Sequence, residues 1–345
     1  LSRKENKMTT EREAWLTLTI EDPLEPGLPI CDPHHHFWDR PDDRYLLEEL
    51  LQDIGGGHNV VSTVFVECKS MYREDGPEEL QSVGETEFVQ GIAARSARGQ
   101  YGAARVAAGI VGCADLTLGA AVVPILEAHL AASRNRFRGI RHTCAWDASP
   151  GITSYRNPPK ELLLDSKFRE GFACLQKYYL SFDAWLYHPQ LPELADLART
   201  FPEIPVIVNH IGGPLGIGPY AGKRQEIFQE WKRGIAALAA YPNVLMKLGG
   251  LGMPLCGFAW HERATPPNST ELTEVMAPYY LWCIEQFGVD RCMFESNFPV
   301  DKQSYSYTVM WNTFKRISKA FSPQERAALF HDTATRVYRL GQGVI

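Results

Sequence analysis

None of the eight cysteines forms a C-x-x-C pair, which removes a redox dithiol and the commonest zinc-ribbon spacing. Scattered at 31, 68, 113, 144, 174, 256, 283 and 292, they read as reduced core residues of a cytoplasmic protein. No apolar run approaches the ~20 residues of a membrane span, so no membrane partner is expected. Positive charge is not in excess either: 35 Lys and Arg stand against 41 Asp and Glu, a formal net charge of −6. Nucleic acid is therefore not expected as a partner. No glycine-rich phosphate loop follows the first apolar strand, which argues against an open, doubly wound dinucleotide fold. Linkers, repeats and low-complexity stretches are also missing. Residues 1–27 read as an N-terminal extension, with Leu1–Lys7 ahead of Met8 set outside the fold, and 28–345 as one domain.

What is present begins with Cys31-Asp32-Pro33-His34-His35-His36-Phe37-Trp38-Asp39. It follows the apolar run Leu28–Ile30, which reads as a buried strand. If the strand continues, alternation puts Asp32, His34 and His36 on one face and His35 on the other. Two imidazoles two residues apart on one face can grip one ion; a His-rich turn without a ligand is the alternative. Seven further strand patterns follow, each before a helical one: Val60–Glu67, Arg105–Val111, Phe137–His142, Leu180–His188, Pro205–His210, Asn243–Leu248 and Arg291–Asn297. An irregular Gly/Pro-rich insertion (249–269) follows the seventh strand, and Ser322-Pro323-Gln324-Glu325 is a capping box that starts the last helix. Eight strand–helix alternations in 345 residues predict an α/β fold, a single (β/α)8 TIM barrel.

Polar residues fall at the strand ends. His34 and His36 end the first, Glu67 the second, Arg141 and His142 the fourth, His188 the fifth and His210 the sixth. Lys247 lies late in the seventh and Asn297 ends the eighth. In a barrel these ends meet at one face, where active sites are built. His58, His129, His261 and His331 fall elsewhere and are expected to be structural or exposed.

The pieces DPHHHFWD (32–39), FRGIRH (137–142), VIVNHIGGP (206–214), NVLMKLGG (243–250) and MFESNFPVD (293–301) together resemble the amidohydrolase superfamily, in particular its lactonase-like group of pyrone-dicarboxylate and sugar-lactone hydrolases. The resemblance implies His34 and His36 as the first-strand pair and His210 as the sixth-strand histidine. His188 resembles the fifth-strand histidine of the related decarboxylase branch and joins His34 and His36 as a candidate metal ligand. Members of the group usually carry Asp where this chain has Asn297. An amide can offer its carbonyl oxygen but cannot take a proton, so one divalent metal, zinc or manganese, is an open expectation. The base is then Glu295, Glu67 or His210. Glu295 shares the parity of Asn297, one layer deeper, and Lys247 on the neighbouring strand would be its ion-pair partner.

The resemblance implies a hydrolase that opens a lactone or related ester-like bond, and these residues suggest a small substrate bearing a carboxylate or an aromatic ring. Arg141, with Arg73 from a loop, would hold the carboxylate bidentately. Trp38, Tyr72 and Lys247 would contact the substrate, and Phe37, Trp146, Tyr187, Phe258, Trp260 and Phe298 would make the mouth aromatic. The alternatives are a non-oxidative decarboxylase or hydratase on the same barrel, to which His188 points, and a non-catalytic ligand-binding barrel. A homo-oligomer is compatible with all three.

Overall fold

The computed structural model describes residues 11–41 and 43–341; Leu1–Lys7 lie outside them. Eight parallel strands form one sheet: β1 (Ile30–His35), β4 (Val60–Val66), β5 (Arg105–Gly112), β6 (Phe137–Ile140), β7 (Ser181–Ala184), β8 (Val206–Val208), β9 (Val244–Leu248) and β10 (Cys292–Phe294), in that spatial order. The ends of the sheet meet where Asn297 N donates to His34 O at 2.9 Å, His36 N donates to Phe298 O at 2.8 Å, and His35 bridges Phe298. This nearly closed (β/α)8 barrel therefore has its seam beside the histidine motif. The strands are buried on both faces, which is why they read as near-continuous apolar runs such as VVSTVFV and VLMKL.

The barrel interior holds Cys31, Val64, Val66, Val111, Ile207, Leu245 and Met293, packed with Tyr338 and Leu340 of the C-terminal segment. Arg105 and Arg138, at the starts of β5 and β6, donate to Leu340 O and Tyr338 O. The C-terminal segment thus plugs the end opposite the active face. All eight cysteines are free, and seven are buried. Residues 11–27 lie along the outside of the barrel, with Arg12 bonded to Gln303 O, Trp15 to Arg263 O and Leu24 N to the Asn312 side chain.

Two elements differ from expectation. The polar stretch after the histidine motif is an antiparallel hairpin, β2 (Trp38–Arg40) with β3 (Asp43–Tyr45). A helix at Tyr307–Ile317 is absent from the expected pattern, although Thr308, Asn312, Lys315 and Arg316 recur at helical spacing; nine of its eleven residues are buried. Ser306 caps it through Val309 N–H.

Candidate active site

The chain leaves β8 through a left-handed turn: His210, Ile211, Gly212 and Gly213 all have positive φ, between 49° and 73°. For His210 and Ile211 this conformation is costly. Glu295, one residue past β10, offsets that cost by accepting the His210 backbone N–H at 2.9 Å and the ring Nδ1 at 2.7 Å, both on Oε1. A carboxylate oxygen accepts, so Nδ1 carries the proton and Nε2 keeps its lone pair. Gly250, from the insertion after β9, packs against this ring; a Cβ there would lie 2.6 Å from His210 Cγ. Burial lowers the His210 pKa from the usual histidine value, against the pull of Glu295.

His36 lines the mouth and His34 lies wholly buried behind it, with ring centroids 4.9 Å apart, and His34 lies 4.5 Å from His210. His35 points the other way, onto Thr63, Phe37 and Phe65. Asp32 does not share the face of His34, as strict alternation would have it. A register irregularity between Asp32 and His35 breaks the alternation. Asp32 instead accepts from Ser296 N and Tyr307 OH. His36 Nδ1 donates to Val66 O at 2.7 Å, leaving Nε2 as an acceptor. Burial first, then the nearby cations, hold His34 and His36 well below the usual histidine range.

Glu67 is the hub of a charged cluster. It accepts from Arg141 Nε and Arg156 at 2.9 Å each, and from the Tyr155 hydroxyl. Burial alone would raise its pKa, but Arg141 and Arg156 outweigh it and the carboxyl is held below its ordinary value. That environment makes Glu67 a poor proton acceptor, so its candidacy as the base is withdrawn. Arg141 is fixed by Glu67 through Nε and by the Glu67 carbonyl through one terminal nitrogen. The other, Nη1, lies 3.3 Å from His34 Nε2. With two nitrogens committed, the guanidinium offers the mouth one edge instead of the free bidentate fork expected of it.

The mouth cavity, about 260 Å³, is lined by His36, Trp38, Arg40, Cys68, Arg141, Thr153, Ser154, Tyr155, Trp185, Tyr187, His210, Met253, Leu255, Asn297 and Val300. Several expected residues are elsewhere. Lys247 pairs with Asp183 at 2.8 Å, not with Glu295, and is wholly buried beneath His34, so it is not a substrate contact. Tyr72 lines a neighbouring cavity and accepts from Arg156. Arg73 is half-exposed and paired with Glu87, out of the mouth lining. His188 is corrected as a metal ligand: β7 ends at Ala184, and His188 opens a 3-10 turn whose ring Nδ1 accepts from Leu215 N and faces an outer cavity between helices. Of the expected aromatics, Trp38 and Tyr187 line the mouth. Phe37 and Phe298 are core, while Phe258 and Trp260 stack on each other.

Sequence reading missed Arg156, Tyr155, Trp185 and Asp183. The first two lie on the long loop after β6, and a Tyr-Arg pair on a βα loop of a barrel was a signal available in the sequence. Asp183 was legible as an unexplained carboxylate inside the apolar run LSFDAW.

The donor set can accommodate a divalent ion. His34, His210 and Glu295 place one ligand-type atom each within 4.8 Å of one another. Glu295 Oε2 is buried and lacks a hydrogen-bond partner; it lies 2.7 Å from His34 Nδ1 without hydrogen-bond alignment. Arg141 is neutralised by Glu67 and Lys247 by Asp183, whereas Glu295 has no Arg or Lys partner among the described residues. An orphaned carboxylate oxygen among neutral imidazoles is chemistry that suits a divalent metal ion.

Comparison with known proteins bears on the family and the fold. A family model described as amidohydrolase matches residues 31–340. An uncharacterized protein, y4mH, of Sinorhizobium fredii is 34% identical over 325 residues, covering 90% of this chain and 98% of the relative. An L-fucono-1,5-lactonase of Burkholderia ambifaria is 26% identical over 333 residues, covering 90% and 95%. Among solved structures, an amidohydrolase of Burkholderia multivorans with bound zinc superposes with a TM-score of 0.68 at 23% identity, covering 90% of this chain and 99% of that one.

Proposed function

The chain belongs to the amidohydrolase family, and from that premise we propose that it hydrolyses the ester bond of a small lactone, with His210 as the proton acceptor and Glu295 as its anchor. The observation that carries this reading is the 2.7 Å bond from His210 Nδ1 to Glu295 Oε1 beside the mouth cavity. A neutral imidazole whose Nδ1–H is held by a carboxylate offers Nε2 to water. Water adds to the lactone carbonyl carbon while its proton moves to Nε2. The ring C–O bond then breaks, and the same proton passes to the departing oxygen, giving a hydroxy acid. Arg141, held on Glu67, directs Nη1 to the carbonyl oxygen where negative charge develops. A cavity of about 260 Å³ walled by Trp38, Tyr155, Trp185 and Tyr187 suits a single-ring substrate with an apolar face. A divalent ion would be held by His34 and by the orphaned Glu295 Oε2, leaving His210 Nε2 to take the proton, and would supply Lewis-acid polarisation of the carbonyl.

The similarity to an L-fucono-1,5-lactonase supports ester-bond chemistry. The decarboxylase alternative rested on His188, which faces away from the mouth. Proton release and carbon dioxide release, followed in parallel over a panel of lactones and aromatic acids, test the reading. Ring opening with one proton released per turnover is expected; carbon dioxide with no lactone turnover overturns it.

A further inference from the structure

Asn297 and Asp301, four residues apart beyond β10, form a closed pair. Asn297 Nδ2 donates to Asp301 Oδ1 at 2.8 Å, and the Asp301 backbone N–H donates to Asn297 O at 3.1 Å. The second oxygen, Oδ2, accepts from Tyr305 OH at 2.7 Å and from Gly252 N–H at 3.0 Å. Gly252 belongs to the insertion after β9 that also supplies Met253 and Leu255 to the mouth, so one buried carboxylate ties the eighth strand end to that wall. Three donors converge on Asp301 and favour its ionised form against the burial that raises its pKa to about 7. With Nδ2 committed, the amide directs Oδ1 away from Asp301. No described donor reaches Oδ1, and Asn297 lines the mouth beside His36 and His210.

We propose that Asp301 is a positioning residue: by holding the Asn297 amide it presents Oδ1 to the mouth as an acceptor, so the group bound there is an O–H donor, either the attacking water or a substrate hydroxyl. The proposal rests on the hydrolytic reading above and deepens it. It also accounts for the amide at 297. An aspartate there would bring a second carboxylate to hydrogen-bond distance of Asp301, and two like charges so close do not both ionise. The titratable groups facing Asp301 are Glu295, Tyr280, Tyr305 and Cys256, none of them a cation that would relieve the repulsion.

The test is a four-protein cycle: wild type, Asn297→Asp, Asp301→Asn and the double exchange. Each is melted between pH 6 and 9 and assayed at 25 °C, where folding is confirmed by circular dichroism, on L-fucono-1,5-lactone and on hydroxyl-free δ-valerolactone. Asn297→Asp should melt lower than wild type, with the deficit growing as pH rises, and the double exchange should recover most of it. Asp301→Asn should lose roughly tenfold in kcat/KM because the amide is no longer held in one orientation, and the double exchange should regain most of that loss. A fall in kcat on both lactones assigns the donor as water, whereas a rise in KM on the hydroxylated lactone alone assigns it as a substrate hydroxyl; either supports the proposal. Additive effects around the cycle, in melting or in kcat/KM, overturn it. If neither lactone is hydrolysed the lactone reading falls, and the melting cycle still decides whether the pair is coupled.

Discussion

Lys247 Nζ closes an ion pair on Asp183 Oδ2 at 2.8 Å, and this leaves Glu295 to the histidines. Both partners are fully buried, and Tyr338 OH also donates to Asp183 from the C-terminal plug. The pair therefore joins the barrel interior to the underside of His34, whose Nδ1 lies 3.3 Å from Lys247.

Lys247→Met should cost about 3 kcal/mol or more, because Asp183 would be left buried without its counter-charge. Urea denaturation measures it. A loss below about 1 kcal/mol, the range of an exposed pair, would mean that Tyr338 and Asn209, whose side-chain amide donates to Asp183 Oδ2 at 3.1 Å, suffice to hold Asp183.

Glu67→Gln should destabilise the fold on a similar scale of about 3 kcal/mol, since two arginines would then face each other without a shared carboxylate. Turnover per folded molecule should fall roughly 100-fold in kcat, as Arg141 loses the anchor that aims it at the developing oxyanion. A protein with full activity per folded molecule would show that Arg141 needs no such anchor.

All eight barrel strands were legible in the sequence, because strands buried on both faces leave continuous apolar runs between helical patterns. The convergence of His34, His36, Arg141, His210, Glu295 and Asn297 was also legible, because barrel topology gathers strand ends. What the sequence could not reveal was pairing. Lys247 has the parity to meet Glu295, yet Asp183 from β7 reaches it first. His188 follows β7 closely enough to be counted as its end, but the strand stops at Ala184 and the turn carries the ring outward. Side-chain direction after a strand has ended depends on loop geometry, which periodicity does not encode.

Acid should unfold this protein early. Eight histidines (34, 35, 36, 58, 129, 142, 188 and 210) have folded pKa values lowered, chiefly by burial, with His35 at about 3 and His58 at about 4. Below ~6.5 the unfolded chain binds protons that the folded chain refuses, so stability falls as pH drops. Burial raises Asp32 to about 6, Asp301 to about 7 and Glu85 to about 8, and these oppose the trend because their contribution is lost as pH rises through those values. Burial raises Asp43, Asp53 and Glu193 as well, and eight histidines against six carboxylates decide the sign. The melting temperature should decline steadily from pH 6.5 to 5, and a flat or rising profile there would contradict the neutral, buried histidines.

Zinc affinity should depend on Glu295 and not on His188. Calorimetric titration should find binding in wild type and in His188→Ala, and a loss of roughly tenfold or more in Glu295→Gln, on the scale of a lost ligand or of the group that orients one. Equal affinity in Glu295→Gln and wild type would place the ion elsewhere.

The central claim is that His210, anchored by Glu295, accepts the proton in lactone opening. The most direct measurement is the pH dependence of kcat/KM for wild type and Glu295→Gln on a lactone that the wild type opens. Because burial lowers the His210 pKa, the wild-type acid limb should lie below the ordinary histidine value of ~6.5. Glu295→Gln should remain folded, lose at least ~100-fold in kcat/KM, and have its acid limb moved to still lower pH, since a neutral amide stabilises the imidazolium less. An active Glu295→Gln enzyme with an unshifted acid limb would contradict the account.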